Sequence, residues 1–228
     1  SLDPTTQVMC MAFRLPHWEE GRTALWHPAF PHLGVEEANC PELEELFTWI
    51  AEGRLVEAHN SWFERGIWTN ICAPKFGWPM VQHDQWRCSA AKAAAYSLPR
   101  SLDGCTAALR LRIKKDAEGA KVMKKMAKPR KPRVAEVKAW VAQQAGVPAI
   151  KQCTVSTVAT DSGWGAHVAW EGGSHDFQLP MYWHESVELL ERLFAYCRVD
   201  VLAEEAVSHR LRDLSDKETR TYLMDQAI

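Results

Sequence analysis

The chain has 228 residues, of which 46% are apolar and 25% are charged, as in an ordinary soluble globular protein. No apolar run approaches the roughly 18 residues that a membrane-spanning helix needs. The first residues lack the basic and apolar segments of a signal peptide. Seven cysteines, without a Cys-x-x-Cys pair, are typical of reduced thiols rather than of a disulfide framework or a zinc site. We therefore expect a cytoplasmic protein that makes no membrane contact.

The net charge of −2 conceals a strong local asymmetry. Residues 110–133 carry eleven Lys or Arg side chains and two acids, a local charge of +9, and the rest of the chain carries −11. A concentrated basic segment on an otherwise acidic protein favours a polyanionic partner. The alternative is a mobile solvated loop, and the charge run alone does not separate the two.

The first part of the chain predicts the order strand, strand, helix, strand, helix. The strands are expected over residues 7–13, 22–26 and 55–56. The first helix begins at Pro41, with acids in its first turn, and ends at Gly53. The second helix begins at His59 and Asn60. The first two strands are expected to pair antiparallel and the third to enter by a crossover, which indicates an α/β fold.

The remainder is predicted to be mostly helical. Residues 154–177 are an exception, because their many Gly, Ser, Thr and Trp residues indicate a hairpin-like loop or a partly ordered insert. The predicted helices cover residues 85–96, 102–111, 117–127, 134–145 and 185–211.

The segment that follows the third strand carries the most informative pattern. Asn60 and Glu64 are four residues apart where a strand leads into a helix, so we expect them to share one face at the helix start. Tyr196 and Asp200 repeat this spacing inside the last helix. An amide and a carboxylate held at such a position suit the binding of metal ions and phosphates.

These two pairs resemble motifs II and III of the DnaQ-like 3′→5′ exonucleases, which proofread for DNA polymerases. Motif I, an Asp-x-Glu on the first strand, has no counterpart here. Outside about 135–180, most of the chain is similar to phage and plasmid family A DNA polymerases. Besides the two motifs, the segments that carry this similarity are residues 3–10, 98–102, 114–119, 126–130 and 214–228.

The resemblance implies an RNase H-like (DnaQ-like) α/β fold, with a mixed central sheet flanked by helices and the first strand absent from this chain. It implies an exonuclease-like domain over residues 1–213, containing the basic segment 110–133 and a divergent insert at about 135–180. Residues 214–228 would start the junction to a polymerase domain in a longer parent chain. The location implied is the cytoplasm of a bacterial or phage-infected cell.

The same resemblance implies two-metal hydrolysis of the 3′ terminal nucleotides of DNA, with Mg²⁺ or Mn²⁺. Glu64 and Asp200 correspond to metal-binding catalytic acids, and Tyr196 corresponds to the residue that orients the attacking water. Glu64 stands where Asp is commoner, which leaves direct or water-mediated metal binding open. Because motif I is absent, we expect weak metal binding and little turnover.

The partner implied is the 3′ end of single-stranded DNA. Basic side chains would follow its phosphates without reading sequence, and aromatic side chains would stack on its bases. With 11 tryptophans in the chain, packing in the core is the favoured alternative for each of them. The residues predicted to contact DNA are Asn60, Trp62, Phe63, Lys114, Lys115, Lys121, Lys124, Lys125, Lys128, Arg130 and Lys131.

Three other hypotheses stay open. The chain is a catalytically inactive module that binds DNA or braces a polymerase, or it is an RNase of the same superfamily. In the third, it is an unrelated α/β protein in which Glu64 and Asp200 are ordinary helix acids that lie far apart.

Overall fold

The computed structural model describes residues 6–113, 116–161 and 163–226, and the chain divides into two compact units. The first unit consists of Ser1–Ala120 and Leu190–Ile228, and the second of Lys121–Leu189. The mixed α/β character predicted from the sequence is confirmed. Among the described residues, none of the helices combines the length and apolar character that crossing a membrane requires.

The elements are numbered here in chain order. They are β1 (Met11–Phe13), β2 (Ala24–Trp26), α1 (Glu42–Ala51), β3 (Val56–Ala58), α2 (Ser61–Ile67), α3 (Ala73–Phe76), β4 (Trp86–Cys88), α4 (Ser89–Ala95), α5 (Leu102–Ala108), α6 (Ala117–Met126), β5 (Pro129–Arg130), α7 (Val134–Val141), β6 (Thr154–Thr160), β7 (Gly163–Trp170), β8 (Gly173–Gln178), β9 (Tyr182–Trp183), α8 (Val187–Arg210) and α9 (Asp216–Asp225).

Two strand pairs form in the first unit. β1 and β2 are antiparallel, as predicted, with Met11 opposite Trp26. β3 pairs in parallel with β4, with Val56 opposite Trp86. The prediction of a helix over 85–96 was therefore wrong in its first turn: the Ala-rich stretch becomes helical only at Ser89. Pairing with β3 overrides helix propensity in the residues before it.

The described strands of the first unit form separate two-stranded sheets, rather than the mixed central sheet expected. Each strand of the parallel pair leads directly into a helix, β3 into α2 and β4 into α4. This alternation is typical of α/β folds. The finer assignment to an RNase H-like fold stays a prediction.

Large aromatic side chains fill the main core of the first unit. The rings of Trp26 and Trp68 both contact Trp78, with centroid separations of 4.8 Å. Trp68 and Trp86 are 6% and 2% exposed, so their role is packing. Tryptophans in such numbers stabilise a core chiefly through the area they remove from water.

A second core cluster of the first unit fixes helix α8. Ala93 of α4 and Cys105 of α5 pack against Ala203 and Val207 of α8, and all four are fully buried. Small side chains at these contacts let the helices approach closely. The position of α8 determines where its polar side chains lie.

The second unit is built on a three-stranded antiparallel sheet with the order β6-β7-β8. Helix α7 covers one face, where Val137 and Val141 pack with Ala166 and Val168. The prediction of a hairpin-like loop or partly ordered insert over 154–177 was therefore right about antiparallel hairpin pairing and wrong about the extent of regular structure. Alternating burial along β6 shows a half-covered strand, a pattern that the many Gly and Ser residues obscure.

Candidate functional site

The turn between β3 and α2 places Asn60 outside the helix. Asn60 has a φ of 73°, in the left-handed region, and helix α2 begins after it. Asn is among the few residues that adopt this conformation readily. The expectation that Asn60 and Glu64 share a helix face was wrong, because a left-handed residue breaks the helical spacing.

Glu64 lies on α2 with part of its carboxylate sealed from water. Within the described part of the chain, its buried Oε2 has no hydrogen-bond partner. Burial raises the pKa of Glu64 from 4.5 to about 7. A buried carboxylate without a donor is costly unless it binds a proton or a cation.

Tyr196 and Asp200 lie one turn apart on α8 and interact with each other. Tyr196 is 5% exposed, and its hydroxyl is hydrogen-bonded to Asp200. Burial, and then the neighbouring Asp200 carboxylate, raise the pKa of Tyr196 above its usual range. The spacing therefore produces the shared face that the sequence predicts, while the catalytic roles of both residues stay a prediction.

Glu204, which was not predicted as a site residue, continues the line of Tyr196 and Asp200 by one more turn. Burial, and then the like charges of Glu57 on β3 and Glu64 on α2, raise its pKa to about 8. Glu204 therefore links α8 electrostatically to both elements. The signal was the repeated four-residue spacing from position 196 to 204.

Lys92 of α4 is a buried cation that interacts with Glu57 and Glu204. Its Nζ lies 2.9 Å from Glu57 Oε1 and 2.6 Å from Asp213 Oδ1, and its side chain is 5% exposed. It also donates to Ser208 Oγ at 2.8 Å, which in turn donates to Glu57 Oε2 at 2.7 Å. Burial disfavours the ammonium, but the two carboxylates outweigh it and raise the pKa of Lys92.

His59 and Ser89 meet at the carboxyl ends of the parallel strands β3 and β4. His59 Nδ1 lies 2.9 Å from Ser89 Oγ, and His59 Nε2 lies 2.7 Å from the carbonyl oxygen of Arg100. Since a carbonyl only accepts, Nε2 carries the hydrogen. Ser89 is also hydrogen-bonded to Glu204. This edge of a parallel sheet is where α/β proteins commonly place their sites.

The start of α6 packs against Tyr196. A Cβ atom at Gly119 would lie 2.6 Å from Tyr196 Cβ, so only glycine fits this contact. Asp116 forms an ion pair with Arg192 at 2.5 Å, and its carboxylate accepts a hydrogen bond from the Gly119 amide at 2.9 Å. These bonds lower the pKa of Asp116 to about 2. The start of α6 thereby holds Tyr196 in place.

The predicted aromatic contacts to DNA are exposed, unlike most tryptophans of the first unit. Trp62 is 61% exposed and Phe63 is 55% exposed. Beside them, Ser61 Oγ lies 2.5 Å from Tyr222 Oη on α9. Arg65 Nη2 donates to the carbonyl of Gln226. Two adjacent uncovered rings on a helix fixed by α9 are available for stacking.

Among the predicted basic contacts, the described lysines are exposed, whereas Arg130 is paired with a carboxylate. Arg130 donates to both oxygens of Glu136, at 2.6 and 2.8 Å, so its guanidinium serves the second unit's own structure. Lys114 and Lys115 lie outside the described residues. The exposed members are Lys121, Lys124, Lys125, Lys128 and Lys131.

Metal binding by these acids stays a prediction. The orphaned oxygen of Glu64 is the kind of group that a cation would satisfy. Over residues 6–113, 116–161 and 163–226, however, no three His, Cys, Asp or Glu side chains come together as one metal site. The described side chains therefore do not by themselves fit the two-metal site that the resemblance implies.

Comparison with known proteins gives one partial similarity. The chain is 33% identical over 89 residues to a DNA polymerase of Bacillus phage SP02. This alignment covers 39% of the chain and 13% of that polymerase. No protein-family model matches the chain, and no solved structure matches it. The similarity supports a relationship to a phage DNA polymerase and assigns no activity.

Proposed function

We propose that the chain is an exonuclease-like domain of a phage-type DNA polymerase, which binds the single-stranded 3′ end of DNA and hydrolyses it weakly. The observation that carries this proposal is the hydrogen-bonded pair of Tyr196 and Asp200 on α8. One turn further along α8, Glu204 interacts electrostatically with Glu64 of α2, which links the two helices that carry the predicted motifs. The partial similarity to a phage polymerase agrees with this assignment.

The carboxylate of Glu64 suits proton transfer more than metal binding. With a pKa of about 7, Glu64 is divided between its two protonation states near neutral pH, as a general base requires. Tyr196 would orient a water molecule through its hydroxyl, which Asp200 holds in position. Two-metal hydrolysis with Mg²⁺ or Mn²⁺ needs more carboxylates than these residues supply.

Each unit offers exposed side chains for the proposed DNA binding. Trp62 and Phe63 would stack on unpaired bases, a contact that every base can make. The exposed lysines of residues 121–131 would contact phosphates without sequence preference. A proofreading domain needs this indifference to sequence, because it must accept any 3′ end.

The test compares hydrolysis with binding in one set of variants. Single-stranded DNA labelled at its 5′ end is incubated with the chain and Mg²⁺, then Mn²⁺, beside Glu64→Ala and Asp200→Ala. We expect binding in all three proteins and a slow 3′→5′ ladder only in the unchanged chain. Fusing an upstream strand that carries Asp-x-Glu should strengthen this ladder.

Other outcomes separate the alternatives. DNA binding without a ladder, before and after the fusion, would favour the inactive module. Faster cleavage of RNA of equal sequence would favour the RNase, since only RNA offers the 2′-hydroxyl. Absence of both binding and cleavage would reject the proposal.

A further inference from the structure

Two cysteines distant in the sequence meet in the first unit. Cys10, just before β1, and Cys197, on α8, have their Sγ atoms 3.3 Å apart, although 187 residues separate them. Both side chains are half-buried, and both thiols are reduced. A disulfide bond requires a sulfur separation of about 2.05 Å, so the two atoms need to approach by roughly 1.3 Å.

Two polar contacts hold α8 against the first strands beside this pair. Arg198 donates to the carbonyl oxygen of Thr23 at 2.6 Å. Arg14 and Glu205 form an ion pair at 2.7 Å, with side chains only 10% and 21% exposed. Both contacts come from α8 residues that follow Cys197, Arg198 directly and Glu205 two turns later, so they fix this part of α8 against the first strands and keep the two sulfur atoms close.

The two thiols also differ in their pKa, and this difference favours thiol–disulfide exchange. The two thiols share a hydrogen bond in which either sulfur could donate, and this bond lowers the pKa of Cys197 and so favours its thiolate. Burial and the nearby Asp200 carboxylate oppose this shift. A thiolate is the attacking form in thiol–disulfide exchange. Cys197 is thereby assigned as the nucleophile and Cys10 as the resolving thiol.

We propose that Cys10 and Cys197 are a redox-reactive dithiol, which a small disulfide such as oxidised glutathione converts into an intramolecular disulfide bond. The Cys197 thiolate attacks one sulfur of the oxidant, forming a mixed disulfide and expelling one glutathione thiolate. Cys10 loses its proton and attacks Sγ of Cys197, which expels the second glutathione. Two protein thiols are oxidised, and one small disulfide is reduced to two thiols.

The bond would fasten the entry of β1 to α8, next to Tyr196 and three residues before Asp200. Oxidation therefore adds a covalent constraint beside the candidate site. The inference does not depend on nuclease activity, because it rests on the placement of two sulfur atoms.

The test counts thiols and locates the bond. The full chain is incubated with oxidised glutathione, the remaining thiols are alkylated, and the protein is digested without reduction. We expect the thiols titrated in denaturant to fall from seven to five. We also expect a disulfide-linked pair of peptides that contains Cys10 and Cys197, and a monomer on a non-reducing gel.

Three variants make the result specific. Cys10→Ser should leave Cys197 as a stable glutathione adduct, and Cys197→Ser should leave Cys10 much less reactive. Cys153→Ser, also at a half-buried cysteine, should still form the linked peptides. Seven thiols remaining after oxidation, or thiol loss without the Cys10–Cys197 peptide pair, would overturn the proposal.

Discussion

At the residue scale, Glu64 makes the stability of the protein depend on pH. Its pKa rises from 4.5 in the unfolded chain to about 7 in the fold. Between these values the folded state holds the proton more tightly, so stability falls as the pH rises and the loss is complete above pH 7. The shift corresponds to an upper bound of about 3 kcal/mol.

Glu64→Gln should remove this loss. The variant is expected to match the unchanged chain near pH 4 and to be more stable at pH 8, in urea unfolding series across that range. Glu36→Gln, which changes an exposed acid, is the matched control and should leave the pH profile unchanged. A Glu64→Gln profile parallel to that of the unchanged chain would contradict the assigned burial of Glu64.

The contact between Gly119 and Tyr196 is a second effect of a single residue. Gly119→Ala should destabilise the protein by about 1–3 kcal/mol, because the added methyl group overlaps Tyr196 and little space exists nearby. Gly173→Ala, where the nearest atoms lie 3.5 Å from the added Cβ, serves as the control. Equal urea midpoints for the two variants would show that Tyr196 gives way freely.

At the element scale, Lys92 connects α4 to β3 and α8. Lys92→Met should cost about 3–5 kcal/mol, because it leaves the partly buried Glu57 carboxylate without its cation. The double variant Glu57→Gln/Lys92→Met should recover much of that loss. A double-mutant cycle from urea unfolding measures the coupling. If the double variant loses as much stability as the two single variants added together, Glu57 and Lys92 are not coupled.

The elements also show what the sequence could predict. The antiparallel pair β1–β2 and the helix α1 follow directly from apolar spacing and from acids near a helix start. β4 escaped prediction because its pairing with β3 is a contact between distant residues, which no local pattern records. The same reason applies to Glu57, Ser89 and Lys92: their importance comes from neighbours that are distant in the sequence.

The candidate site was predictable in part. The Tyr196–Asp200 pair could be found because a helix converts a four-residue spacing into a shared face. Asn60 was wrongly placed on the helix face, because the sequence does not determine whether an Asn before a helix adopts the left-handed conformation. Glu204 has the same four-residue spacing but lies outside the motif resemblance, which ends at Asp200.

At the scale of the whole molecule, a net charge of −2 means that the proposed DNA binding would depend on the local basic segment. Replacing Lys124, Lys125, Lys128 and Lys131 with Gln should weaken binding to single-stranded DNA. It should also flatten the plot of log affinity against log salt by roughly 2–3 units of slope, since each phosphate contact contributes about 0.7.

The control for this experiment changes exposed lysines elsewhere. Lys75→Gln/Lys217→Gln should leave the salt slope within error of the unchanged chain, measured by fluorescence anisotropy. An equal change of the salt slope in both sets of variants would indicate non-specific attraction by total charge. An unchanged slope in the fourfold variant would place the DNA contacts outside this segment.

The hydrogen bonds of His59 and Ser89 affect the number of protons that the protein takes up when it folds. Arg100 fixes one hydrogen on Nε2, and Ser89 has a single hydrogen to share between Nδ1 and Glu204. With Glu204 ionised and His59 neutral, the Ser89 hydroxyl can donate its hydrogen to only one of the two. The other acceptor then faces the Ser89 oxygen with no hydrogen between the two atoms. One additional proton, on either residue, completes the chain of donors and acceptors. Folding near neutral pH should therefore take up protons from the buffer, and the measured folding enthalpy should change with the buffer's own heat of ionisation.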